Sequence, residues 1–169
     1  MEGINIFYPI FLVLICAFQT IWLGAVGAST VMPDLVLILA FYCGARIKKN
    51  RGVLAASFAG FLQDCLSGGL LGINTLSKGL IGLLVSYVRK NIQVESFVPI
   101  AIFVACASLI DSLIFYFAST LFLDHKLNQS VFFNSILGFS IFNALVGPFV
   151  FYFLDLFQKR TTNRSLSEF

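Results

Sequence analysis

The sequence predicts an all-α polytopic membrane protein, a single bundle of six transmembrane helices. Of its 169 residues 59% are hydrophobic and only 11% are charged, and the mean hydropathy is +0.93. Soluble domains carry about 25% charged residues. So few charges do not cover the surface of a globule of this size, which excludes a water-soluble monomer and a disordered chain.

A helix crosses the hydrocarbon core with about 20 residues. Six apolar runs are predicted to cross the membrane on this basis, and the third of them is short. The first run is about twice as long as the apolar part of a signal peptide, so we expect a retained helix. The predicted spans are residues 4–27, 28–45, 52–67, 70–88, 97–123 and 131–157. Residues 1–157 are therefore predicted to form one transmembrane domain, and residues 158–169 a frayed cytoplasmic C-terminal tail.

The breaks between these spans contain residues that start or end helices. Pro33 and Asp34 mark the start of the second helix, where the Asp34 carboxylate can accept hydrogen bonds from first-turn amides. Glycines after the third span permit a tight turn with positive φ. The other breaks are a basic segment at residues 46–51, a glycine turn at 67–69, a basic pair at 89–90 and a polar loop at 124–130.

The distribution of Lys and Arg predicts the orientation. Four of the eleven lie in residues 46–51, two at 89–90 and three after residue 157, so nine are in these three segments. Six crossings place all three segments on one side, which the positive-inside rule identifies as the cytoplasm. Both termini are then cytoplasmic, and the outer loops contribute only Lys126.

Two spans carry small residues at intervals of four, the spacing that lets helices approach closely in lipid. One interpretation is ordinary packing inside the bundle, and the other is docking of a partner's transmembrane helix. The third span lies between its sequence neighbours, which favours packing, so the first span is the better docking candidate. The first-span stripe is Cys16, Thr20, Gly24 and Ala28, and the third-span stripe is Gly52, Ala56, Gly60, Asp64 and Gly68.

The polar candidates within the predicted hydrocarbon depth are Asp64, Asn74, Lys78, Asp111 and Asn143. Charges there are costly unless paired and are candidates for function, although they can also fix helix register. An Asp64–Lys78 pair across the hairpin is our first expectation, with Asp111 as the other possible partner. For Asn74 and Asn143 we expect hydrogen bonds between helices before ligand contact.

The remaining residue types indicate no catalytic, metal or cofactor chemistry. The four cysteines, Cys16, Cys43, Cys65 and Cys106, lack a C-x-x-C pair and are interpreted as small hydrophobic residues. A single histidine, His125, does not supply the ligands of a metal cluster or the residues of a Ser–His–Asp hydrolase. With no visible nucleophile–base pair, we predict a protein that is not an enzyme. The net charge of +3, spread over small groups, does not indicate nucleic-acid binding.

Three short motifs resemble the MreD family, the rod shape-determining membrane proteins of bacteria. They are a P-D-L start of the second span, a G-F-x-x-D-x-x-S-G stretch and an L-G-x-N-x-L stretch. Their residues are Pro33, Asp34, Gly60, Phe61, Asp64, Ser67, Gly68, Gly72 and Asn74. A basic end, Arg89-Lys90, completes the pattern, so the specific residues cover about positions 33 to 90. The last two spans match in hydropathy alone.

The resemblance implies a non-enzymatic scaffold of the cell-elongation complex (elongasome) in the cytoplasmic membrane. Such proteins bind MreC, a single-span protein, join MreB, RodA and a penicillin-binding transpeptidase, and help regulate peptidoglycan synthesis and rod cell shape. The family fold is similar to the substrate-binding subunit of energy-coupling-factor transporters. An alternative is therefore a small-ligand-binding subunit of such a vitamin transporter, because fold alone does not decide function.

The orientation is testable by cysteine labelling in intact cells, in a variant without the four native cysteines. Because the outer loops follow the odd-numbered spans, Ser29→Cys and Gln129→Cys should react with an impermeant reagent, and Asn50→Cys should not. Labelling of Asn50→Cys from outside would overturn the predicted orientation.

Overall fold

The computed structural model describes Gln19 and residues 32–67, 71–89, 96–122 and 129–166. These ranges contain five helices, which correspond to the second to sixth predicted spans. The first predicted span, with its small-residue stripe, lies outside the described residues except for Gln19. The helices are α1 (Leu35–Arg46), α2 (Lys49–Ser67), α3 (Ile73–Val88), α4 (Phe97–Phe122) and α5 (Gln129–Leu166).

The described helices differ in their capacity to cross a bilayer. Phe97–Phe122 and Ile136–Leu156 are long and apolar enough to span one. Leu35–Arg46 and Ile73–Val88 are apolar but have only 12 and 16 residues. The second predicted span therefore differs from the structure, since residues 32–34 are not helical and α1 begins after Asp34. The described part thus supports an all-helical membrane protein, and it does not by itself establish six spans.

Helix α1 lies at the centre of the fold. All nine residues from Val36 to Gly44 are buried, and the helix packs against α2, α3, α4 and α5. A helix that is hydrophobic on every side is stable only where other elements surround it. Its Phe41 and Tyr42 rings pack edge-on against Phe151 of α5. The central position of α1 places Asp34, at its N-terminus, within reach of several other helices.

Close backbone contact holds α2 against its neighbours. Gly52, Ala56 and Gly60 are buried, and a Cβ atom on Gly60 would collide with the backbone carbonyl of Asn74 in α3. From the other side, a Cβ on Gly82 would lie 2.6 Å from the Ala56 Cβ. These contacts confirm that the third-span stripe packs inside the bundle. Its last member, Gly68, lies outside the described residues.

Helices α4 and α5 pair in antiparallel directions. Gly147 of α5 packs on the Val104 side chain of α4, and Asn143 donates to Ser108. The apolar span Ile136–Leu156 ends beside the predicted end at residue 157, and α5 continues as a helix through residues 158–166, which were expected to be frayed. Most large apolar side chains on the outer faces of these helices are exposed, as for lipid-facing residues, and they include Ile102, Leu113, Phe117, Ile141, Phe149 and Tyr152.

The basic C-terminal ends of α1 and α3 meet beside α5. Arg46 Nη2 at the end of α1 lies 2.8 Å from Asp155 Oδ2 of α5, and Tyr42 donates to the same carboxylate. Arg89, after α3, donates to the backbone carbonyls of Ala45 and Ile47. Arg46 and Arg89, from two of the basic segments predicted on a common side, therefore lie close together.

The α2–α3 packing yields a matched pair of glycine substitutions. Gly60→Ala places a methyl group against the Asn74 backbone, which cannot move without shifting α3, whereas Gly79→Ala meets the rotatable Ser57 hydroxyl at 2.5 Å. We expect Gly60→Ala to destabilise by about 1–3 kcal/mol, as overpacked cores do, and Gly79→Ala to change stability much less. Thermal unfolding in detergent measures both, and equal losses would contradict this description of the contact.

Candidate functional site

The Lys78 side chain is buried among oxygen atoms near the start of α3. Its exposed fraction is 1%, and Nζ lies 2.9 Å from Asp111 Oδ1, 3.1 Å from Asp34 Oδ2 and 3.1 Å from Asn74 Oδ1. An ammonium group has three hydrogens to donate. Each of the three therefore has an oxygen partner within the protein, and the charge is compensated where lipid and water are both displaced.

Asp34 connects Lys78 to the N-terminus of α1. As N-cap residue it accepts a hydrogen bond from the Leu37 amide at 3.0 Å, which confirms the predicted capping role. The same oxygen accepts from Gln19 Nε2 at 3.1 Å, and Gln19 Oε1 accepts from the Val36 amide at 3.2 Å. Gln19, a polar residue of the first predicted span, thus satisfies a second orphan amide of α1.

Asn143 and Asp111 extend these contacts to α4 and α5. The Asp34 backbone amide donates to Asn143 Oδ1 at 2.8 Å, and Asn143 Nδ2 donates to Ser108 Oγ at 2.8 Å. Asp111 of α4 accepts from Lys78 and also from the Ser77 hydroxyl. Asn143 therefore makes the hydrogen bonds between helices that the sequence predicted for it.

Asp64 has a different role from the predicted one. Its carboxylate accepts from the backbone amides of Gly72, Asn74 and Thr75 at 2.9 to 3.1 Å, and from the side chains of Asn74 and Thr75 at 3.0 and 2.7 Å. Asp64, in the last turn of α2, thus caps the N-terminus of α3, where backbone amides favour a negative charge. The expected Asp64–Lys78 ion pair is wrong, and the alternative Asp111–Lys78 pair is confirmed.

Asn74 joins the two carboxylate sites into one network. Its Nδ2 donates to Asp64, and its Oδ1 accepts from Lys78. We call the connected set of Gln19, Asp34, Asp64, Asn74, Ser77, Lys78, Ser108, Asp111 and Asn143 the polar network. Its members come from all five described helices, or from residues next to them, and from the first predicted span.

The family-motif residues surround this network. Asp34, Asp64 and Asn74 are members, Gly60 packs on the Asn74 carbonyl, and Gly72 precedes α3 with a φ of +100° that favours glycine. Pro33 lies beside Asp34, and Ser67 donates to the Asp64 carbonyl at 3.4 Å. Phe61 differs, since 49% of its side chain is exposed on the outer face of α2. Gly68 lies outside the described residues.

Sequence reasoning did not identify Asp34 as an ion-pair partner, nor Gln19, Ser77 and Ser108 as network members. The sequence predicts Asp34 only as a helix cap. Its distance from Lys78 depends on how α1 and α3 pack, which sequence spacing does not give. Gln19 could have been noticed as the polar residue of an otherwise apolar span. Serines in membrane helices commonly bond within their own helix, so their sequence positions carry little signal.

In chemical terms, the network is suited to hold helices together. Every ammonium hydrogen of Lys78 and both Asp64 oxygens are used by protein groups. Within the described ranges, no group of three His, Cys, Asp or Glu residues is placed to bind a metal ion. The arrangement therefore favours an internal tie between helices over a site with free coordination positions.

A double-mutant cycle tests the observed pairing. Lys78→Gln leaves two half-buried carboxylates without their cation. Removal of one partner of a fully buried ion pair costs about 3–5 kcal/mol. We expect Lys78→Gln and Asp111→Asn together to lose less than the sum of the single losses, by more than the average of about 0.6 kcal/mol for polar contacts in membranes.

The matched control is the cycle of Lys78→Gln with Asp64→Asn. Asp64 reaches Lys78 only through Asn74, so its coupling should be smaller. Equal coupling energies in the two cycles, measured by thermal unfolding in detergent, would contradict the arrangement of the network.

Comparison with known proteins identifies the family. The family model described as rod shape-determining protein MreD matches residues 2–159 of the 169. No curated protein and no solved structure matches the chain. The family match includes the polar network and all three motifs noted in the sequence. Because it extends over nearly the whole length, the chain belongs to the MreD family of rod shape-determining membrane proteins.

Proposed function

We propose that this protein is a non-enzymatic integral membrane scaffold of the cell-elongation complex. The single observation that carries the proposal is the MreD family match over residues 2–159. The polar network supports it, because a scaffold must keep its helices in one arrangement while partners bind outside. Lys78, buried and fully bonded to three other residues, fixes α1, α3 and α4 relative to one another.

The proposed direct partner is an MreC-like single-span membrane protein. Through the complex, the scaffold joins MreB, RodA and the elongation penicillin-binding transpeptidase, and so helps regulate peptidoglycan synthesis and rod cell shape. Its proposed place is the bacterial cytoplasmic membrane, crossed several times, with both termini in the cytoplasm. The meeting of Arg46, Arg89 and Asp155 at one end supports a common side for the basic segments.

The docking face proposed for the partner helix is the stripe of Cys16, Thr20, Gly24 and Ala28. It lies outside the described residues and is proposed from the sequence and by elimination. Gly52, Ala56 and Gly60 of the other stripe are buried against α1 and α3 and are unavailable to a partner. None of the comparisons supports the alternative of a vitamin-transporter subunit.

A leucine at Gly24 tests this docking face. In lipid no hydrophobic force brings helices together, so association requires close van der Waals contact over small residues. We expect Gly24→Leu to weaken capture of the single-span partner in a mild-detergent pull-down and to give rounded cells, while the protein still inserts. The loss reflects the many small dispersion contacts that a displaced helix forfeits.

Cys106→Leu is the matched control, because Cys106 is an exposed small residue of α4. It likewise introduces a leucine side chain, on an exposed helix face, and should leave capture unchanged. Capture by Gly24→Leu at the wild-type yield would refute this docking face. Loss of the folded Gly24→Leu protein would instead place the stripe inside the bundle.

A further inference from the structure

We propose that the basic N-terminal end of α2 and the exposed apolar side that follows it along the helix form a binding site for one anionic phospholipid. The headgroup would lie against Lys48 and Arg51, and an acyl chain along Leu54, Phe58 and Phe61. We name these five residues the lipid face. The inference does not depend on the identity of the protein partner.

Charge at the start of α2 favours an anion. The first helical hydrogen bond runs from the Gly52 amide to the Lys48 carbonyl at 2.8 Å, so the amides of residues 49–51 have no acceptor within the helix. The first turn contains no acidic residue. The positive end of a helix dipole disfavours nearby cations, yet Lys48 and Arg51 are both placed there. A bound anion relieves this repulsion.

The protein supplies no counterion for these two residues within the described ranges. The ion pairs found there join Arg46 to Asp155, and Lys78 to Asp34 and Asp111. Arg89, at the same end, is directed to the carbonyls of Ala45 and Ile47. Lys48 and Arg51 are exposed. Their charges are therefore accessible to an anion at the surface of the helix.

The apolar part of the lipid face lies directly along the helix from Arg51. Arg51, Leu54, Phe58 and Phe61 are spaced by three, four and three residues, so they share one side of α2. The exposed fractions of Leu54, Phe58 and Phe61 are 69%, 46% and 49%. The opposite side, with Gly52, Ala56 and Gly60, packs inside the bundle. The exposed apolar side and its cationic end thus form one continuous surface.

The length of this surface matches one lipid leaflet. From Arg51 to Phe61 the helix rises about 15 Å at 1.5 Å per residue, which equals half of a hydrocarbon core about 30 Å thick. A free phosphate ion would use only the basic end, whereas a phospholipid uses both ends of the face. The basic residues at the level of the headgroup and an exposed apolar surface as long as one acyl chain together favour a phospholipid.

The test measures binding of phosphatidylglycerol and phosphatidylcholine to the full chain in detergent micelles, with a fluorescent lipid of each class. We expect tighter binding of phosphatidylglycerol, and a loss of affinity on the order of five-fold for Arg51→Gln, the effect of one basic residue near a membrane surface. Lys48→Gln should give a similar loss and serves as the second variant if Arg51→Gln does not fold. Phe58→Ala should weaken both lipids alike.

Lys126→Gln is the matched control, since it removes the same charge from a segment predicted on the other side. It should bind phosphatidylglycerol like the wild type. Equal affinity for the two lipids, or wild-type affinity in both Arg51→Gln and Lys48→Gln, would overturn the proposal. So would displacement by inorganic phosphate at equal concentration, which would show a free-anion site, or a dimer that buries the face and binds no lipid.

Discussion

The structure depends on the burial of one ammonium group in a membrane protein. A charge at hydrocarbon depth is costly unless partners surround it, so the fold must bring oxygen atoms to Lys78 from separate segments. Asp34 comes from the start of α1, Asp111 from the middle of α4 and Asn74 from the preceding turn of α3. The positions of three helices are thereby linked, because a shift of any one would leave a charge without its partner.

The neighbouring hairpin keeps this arrangement in register. Asp64 holds the first amides of α3, and the absence of a side chain at Gly60 lets α2 approach the Asn74 backbone. Asn74 is therefore positioned from two sides before it meets Lys78. This explains why the motif residues Gly60, Asp64 and Asn74 occur together: one permits the approach, one caps the helix and one connects the cap to the ion pair.

A rigid interior and apolar outer faces suit a protein that acts through its partners. The polar network uses its groups for bonds inside the described bundle, while large side chains such as Phe117 and Phe149 are exposed on the outer faces. Membership of the MreD family places the protein in rod-shape determination. The surfaces available to partners and lipids are then the outer faces that take no part in packing between helices. They include the exposed side of α2.

The sequence by itself determined the membrane class and most helix boundaries, because these follow from local composition, and it indicated the family through the resemblance of short motifs. Asp34 caps α1, Arg46 ends it and Phe97 begins α4, all within a few residues of expectation. Only the tertiary structure decided the partners of Lys78, the capping role of Asp64 and the length of α5. Sequence spacing gives the depth of a side chain along its own helix, but not the rotation of that helix or the identity of its neighbours. Ion pairs between distant segments, such as Asp34 with Lys78, depend on that rotation and packing, and are therefore a property of the assembled bundle.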